Sequence, residues 1–160
     1  MPLLFGVFPV ALFVFLPEFG GGVRRHFLQI GDSRAYYISN QSVRILTEDH
    51  SKVAMLVKSG EIRAQDAERH PDRNVLTQCI GASRIVKPAF YMGTAQPGEC
   101  YMLCSDGFRH EITPVEIREA FAPDVNPDED TMKEHLVRMV QLNMDRGETD
   151  NISVVLIKVS

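Results

Sequence analysis

Three times the chain sets an aspartate where a turn meets an apolar, strand-like run: Asp32 in "FLQIGDSRAYY", Asp106 in "CYMLCSDGF" and Asp150 in "GETDNISVVLIKV". A carboxylate at the mouth of a buried strand restricts the folds open to the chain, because an unpaired charge cannot be carried into a core. If the three strands share one sheet edge, the carboxylates converge, and like charges there repel and raise one another's pKa. A divalent cation removes that conflict. Oxygen ligands with no convergent Cys/His set point to Mg²⁺ or Mn²⁺ rather than zinc. Gly31 and Gly107 stand beside two of the acids and would let the backbone turn tightly there. Each aspartate alone is also an ordinary turn or cap residue, so only the trio carries the metal reading.

The remaining strand signals are β-branched and aromatic runs punctuated by Asn, Gly, Asp or Pro, at 11–16, 23–30, 34–39, 42–47, 74–80, 86–92, 100–104 and 151–159. "YYISNQSVRIL" reads as a hairpin. Helices are fewer. In "TPVEIREAF", Thr113 caps, Pro114 takes the first helical position and Glu116 completes a capping box. After "NPDED", Met132, Leu136, Met139, Val140 and Met144 share one helical face, and Gly147 ends the helix. Val53, Leu56 and Val57 mark a short helix stopped by Gly60, and a second short helix ends before Pro71. Strands with flanking helices and no strict βαβ alternation predict an α+β domain with mainly antiparallel pairing.

At 160 residues and 44% hydrophobic composition the chain supports one core, and hence a single domain. A net charge of -4 without a Lys/Arg-rich run argues against nucleic acid or an anionic membrane as the main partner. Cys79, Cys100 and Cys104 are an odd set without CxxC spacing and read as reduced core residues of a cytoplasmic protein. The apolar stretch 3–16 falls short of the about 20 residues a bilayer span needs. It is broken by Pro9 and lacks a basic leader or a small-x-small cleavage site, so it reads as core, with "ALFVFL" a strand joined through "PEFGGG" to "VRRHFLQI" and a membrane-associated segment the alternative.

In order along the chain, "IGDSRAYYI", "LTEDHS", "HPDRNVLTQCIG", "CYMLCSDGF" and "GETDNISVVLI" resemble the metal-dependent serine/threonine protein phosphatases of the type 2C (PPM) family, particularly bacterial ones. The resemblance covers residues 11–159. It implies an antiparallel β-sandwich flanked by helices, with a two-metal centre of Mn²⁺ or Mg²⁺ at one edge. The positions of Asp106 and Asp150 match metal ligands, Asn151 a supporting residue, and Asp32 an acid that helps hold a third, looser ion. Residues 50–71 resemble the family's flap, a helical insertion beside the active site. The implied reaction is attack of metal-activated water on a phosphoserine or phosphothreonine. No Ser or Cys nucleophile is required, and neither GxSxG nor CX5R is present.

Two departures accompany the resemblance. The family's N-terminal part carries an Asp-Gly whose carboxylate bridges both metals, whereas the only Asp-Gly pair here is Asp106-Gly107. The domain is therefore expected to be N-terminally incomplete, with apolar surface left open to self-association. Where family members often place an oxygen ligand four residues after the "SDG" acid stands His110, read as partly exposed and non-ligating, with Mn²⁺ ligation the alternative. Arg34, Arg73 and Arg109 are read as surface or ion-pair residues, and His50 and His70 as structural residues of the flap. The functional expectations are thus a phosphatase acting on phosphorylated protein, with a cognate Ser/Thr kinase as a further partner, and alternatively an impaired phosphatase-like module that binds a phosphoprotein or kinase.

Overall fold

The computed structural model describes residues 10–17, 23–67, 69–81 and 85–160. The apolar start before residue 10 and the glycine-rich connection at 18–22 lie outside the described residues. In chain order the elements are β1 (Val10–Pro17), β2 (Val23–Ile30), β3 (Arg34–Ile38), β4 (Val43–Ile45), α1 (Lys52–Ser59), α2 (Ala64–Ala67), β5 (Ala89–Ala95), β6 (Cys100–Cys104), α3 (Asp106–Arg109), α4 (Pro114–Phe121), α5 (Glu129–Asp145) and β7 (Val154–Lys158).

All pairings between these strands are antiparallel, in one sheet ordered β1-β2-β5 and a second ordered β4-β3-β6-β7. The expected α+β sandwich is what the chain forms. Strand β6, "CYMLC", shows no polar alternation because both of its faces are covered. Cys100, Met102 and Cys104 point with Tyr36 and Ile38 toward Phe108, Ile117, Phe121 and Met139 of the helical layer. On the opposite face, Tyr101 packs with Tyr37 and Ile157 against Ala95 and Val23 of the other sheet. Arg25 lies over the Tyr101 ring, 5.5 Å from its centroid. Across the sandwich, the outer face of β5 leaves Phe90 and Met92 69% and 73% exposed. Among the described residues no helix is long and apolar enough to cross a membrane.

The cap chemistry of α4 forms as read: Thr113 accepts from the Glu116 N–H while the Glu116 carboxylate accepts from the Thr113 N–H. Helix α1 ends on Gly60 in the left-handed region at φ 78°, its N–H bonded to the Leu56 and Val57 carbonyls. All three cysteines are free and buried.

Three sequence expectations shift. Residues 74–80 form no strand; Leu76 makes one isolated bridge with Ser51, because the chain opposite enters α1 at once and offers no longer ladder. The strand expected at 86–92 runs instead from Ala89 to Ala95, since Pro88 has no N–H to give and pairing with β2 begins after it. Met144 is 57% exposed. Asn143 takes the inward position on α5, its amide donating to the Met139 carbonyl at 3.2 Å.

Arg146, bonded to the Glu116 carboxylate, together with the Thr113 N–H and hydroxyl, holds the Glu116 carboxyl down to about 2. A depressed carboxyl stabilises the fold above its ordinary pKa, and that contribution is lost as the pH falls through the folded value. Glu116→Gln keeps the cap but not the charge, so it is expected to destabilise by about 0.5 kcal/mol at pH 7. Urea denaturation at pH 7, 4 and 2 should show that deficit shrinking to nothing at the lowest pH.

Candidate metal centre

Antiparallel pairing of β6 with β7 sets Cys104 opposite Val154, so the end of one strand and the start of the other meet at one sheet edge. Ser105 locks the two loops together there. Its N–H donates to the Ser153 carbonyl (2.9 Å), and its hydroxyl donates to the Asn151 carbonyl (3.1 Å) while accepting from the Ser153 N–H (3.0 Å). Next to it, a β-carbon on Gly107 would stand 2.7 Å from the Asn151 carbonyl oxygen and 3.3 Å from the Asp150 β-carbon. Gly107 is therefore required by close approach of the two loops rather than by a positive φ. Gly31 is the residue in the left-handed region, at φ 101°.

Strand β3 begins with Arg34 opposite Cys104, which brings the Gly31–Asp32–Ser33 turn to the same edge. Asp32, Asp106 and Asp150 consequently line one pocket of about 580 Å³ together with Ser105, Asn151 and Ser153. The environments of the three acids differ. Among the described residues Asp106 accepts only the Gly107 N–H (3.0 Å) and Asp150 only the Asn151 N–H (2.7 Å), and neither is in an ion pair. Two carboxylates at a pocket mouth, each with an oxygen to spare, fit a hard divalent cation. Asp32 is 8% exposed. Burial pushes its carboxyl above the ordinary range, and Asp106 and Asp49 add to that against the pull of Arg109. Among the described residues no three His, Cys, Asp or Glu side chains are gathered closely enough to hold a metal ion between them.

The ring of His110 bonds Glu148 (Nδ1 to Oε2, 3.1 Å), whose other oxygen accepts the Thr149 and Asp150 N–H groups at 2.8 Å each. These backbone bonds, that from Asp150 foremost, hold the Glu148 carboxyl below its usual range. His110 thus braces the loop that carries Asp150. Cys104 lines the pocket, but burial raises its thiol to about 12, which leaves it no nucleophilic thiolate.

No family model matches the chain. Protein phosphatase PhpP of Streptococcus pneumoniae is 35% identical over 134 residues, 84% of this chain and 52% of that protein. Serine/threonine phosphatase Stp1 from Staphylococcus aureus superposes with a TM-score of 0.75 at 27% identity, over 88% of this chain and 57% of that one. Over most of its length the chain is similar to serine/threonine protein phosphatases of the type 2C (PPM) kind. It spans about half the length of the curated relatives it matches. The catalytic domain of the serine/threonine protein phosphatase PstP, solved in complex with two manganese ions, aligns with a TM-score of 0.71 at 28% identity, covering 94% of this chain and 59% of that one.

Two supporting residues of the site escape residue-by-residue reading. Glu148 carries the loop of Asp150, and its only sequence signal is its place in "GETDN". Asp49 accepts Arg34 through both oxygens, from Nε at 2.9 Å and Nη2 at 2.7 Å. Beside it, His50 exchanges bonds with Gly31: Nδ1 accepts the Gly31 N–H at 3.2 Å and the His50 N–H donates to the Gly31 carbonyl at 2.9 Å. The "TEDH" segment thereby fixes the turn that bears Asp32.

Gly107→Ala is expected to force the "SDG" and "TDN" loops apart, costing about 1–3 kcal/mol as an overpacked site. Chemical denaturation measures the loss.

Proposed function

We propose that the chain is a phosphoprotein phosphatase hydrolysing phosphoserine or phosphothreonine, with Asp106 and Asp150 as the ligands of its divalent metal centre, Mn²⁺ or Mg²⁺. The observation that carries this reading is the meeting of these two unpaired carboxylates across Gly107, in a chain 35% identical to PhpP. Divalent ions bound at such a centre supply an activated water and offset charge on the transferring phosphoryl group. Asp106 and Asp150 contribute the negative charge that attracts the cation, while Ser105 and Asn151 keep their loops in register. Glu148 and His110 restrain the Asp150 backbone.

Residues 50–71 act as the flap of this site. Ser51, Val53 and Ala67 line a cavity of about 470 Å³ together with Asp32, Arg69, Arg73 and Arg109. A phosphorylated peptide entering there meets arginines suited to an anionic group. The substrate is a phosphorylated protein and a Ser/Thr kinase that generates it is the partner. The exposed Phe90 and Met92 face is the surface for self-association.

The test is Mn²⁺-dependent hydrolysis of a phosphothreonine peptide by the chain and by Asp106→Asn and Asp150→Asn. Loss of a ligand charge is expected to lower the rate about 100-fold, equivalent to about 2.7 kcal/mol of transition-state stabilisation. Equal rates in all three proteins would overturn the reading.

A further inference from the structure

We propose that Arg109 takes the place of a cation at Asp32, so that Asp32 is paired within the protein and is not a metal ligand in this chain. The resemblance carries Asp32 over as the holder of a looser ion, and the surroundings of Asp32 do not fit that role.

Arg109 sits in α3, three residues after Asp106, and that spacing turns it back over the sheet edge. Its side chain is 17% exposed. Its Nη2 lies 3.6 Å from Asp32 Oδ2 and 3.5 Å from Asp49 Oδ2. Asp49 is in turn held by Arg34 at 2.7 Å. The result is an alternating row, Arg34–Asp49–Arg109–Asp32, in which two cations answer two anions while Asp106, beyond the row, still repels the Asp32 carboxylate. Arg109 reaches this position at a cost: its Nε is buried without a hydrogen-bond partner. Attraction between opposite charges, rather than a full set of hydrogen bonds, holds the guanidinium there. An ion approaching Asp32 meets that positive charge at contact distance. Among the described residues Asp106 and Asp150 have no such neighbour, which separates the acids of one pocket into a paired one and two open ones.

An arginine differs from a bound ion in a decisive way: it cannot be chelated, diluted or deprotonated at any pH the fold survives. The outer charge of this centre is then permanent and independent of metal supply.

Mn²⁺ binding to the 160-residue chain, followed by electron paramagnetic resonance at pH 7, tests this against Asp32→Asn, Arg109→Gln and the double variant. Asp32→Asn is expected to leave Mn²⁺ affinity within about twofold of the parent. Arg109→Gln is expected to add a Mn²⁺ that the double variant loses again. A tenfold or greater weakening in Asp32→Asn overturns the inference, as does an unchanged stoichiometry in Arg109→Gln that retains the native circular dichroism spectrum. Should Arg109→Gln not fold, the Asp32→Asn titration decides. The inference rests on the reading of Asp106 and Asp150 as ligands only for its reference titration, and Asp106→Asn separates the two. Unchanged binding in that variant removes the metal-centre reading, while Arg109→Gln still reports on Asp32.

Discussion

Everything at the candidate centre depends on how closely two loops approach across the edge of the β6–β7 pair. The Asn151 carbonyl stands where a side chain on residue 107 would begin, and Ser105 spends its backbone N–H and its hydroxyl on holding the opposite loop. Two carboxylates from positions 44 residues apart in sequence, 106 and 150, become neighbours for this reason. Strand register does the coarse placement, and the absence of a β-carbon does the fine one.

The four-stranded sheet gives that edge its rigidity. Its interior strands carry apolar side chains on both faces, one set against α4 and α5 and the other against the second sheet. Packing at crystal-like density leaves little room for the strand ends to shift. The turn bearing Asp32 is fixed separately, through paired bonds between Gly31 and His50 and through Gln29, whose amide donates to the Gly31 and Ser33 carbonyls at 3.1 and 2.8 Å. Asp32 is thus anchored by the segment leading into α1, whereas Asp106 and Asp150 are anchored by each other's strands.

How much of this could be read from the sequence follows from which forces were local. The capping box at Thr113, the left-handed stop at Gly60 and the β3–β4 hairpin were legible because each is decided within a few residues. The shared pocket of the three aspartates was legible from their position at strand ends. The environment of each acid was not, since it depends on distant partners: Asp32 meets Arg109, 77 positions away, and His110 meets Glu148, 38 positions away. The misplaced edges share a cause, because a run such as 74–80 has strand composition but finds no long partner, and Pro88 displaces the ladder it precedes. Met144 erred for a subtler reason, since a polar Asn143 found a carbonyl inside the helix and claimed the inward position.

The position of β6 has a consequence for how the pocket opens. Paired on both edges and covered on both faces, β6 exposes its amides only when most of the sandwich comes apart, while β7, among the described residues, is bonded along one edge alone. Local breathing therefore begins on the Asp150 arm and leaves the Asp106 arm in place. The pocket behaves as a jaw with one fixed and one hinged side, and amide exchange should run faster along Val154–Lys158 than along Cys100–Cys104.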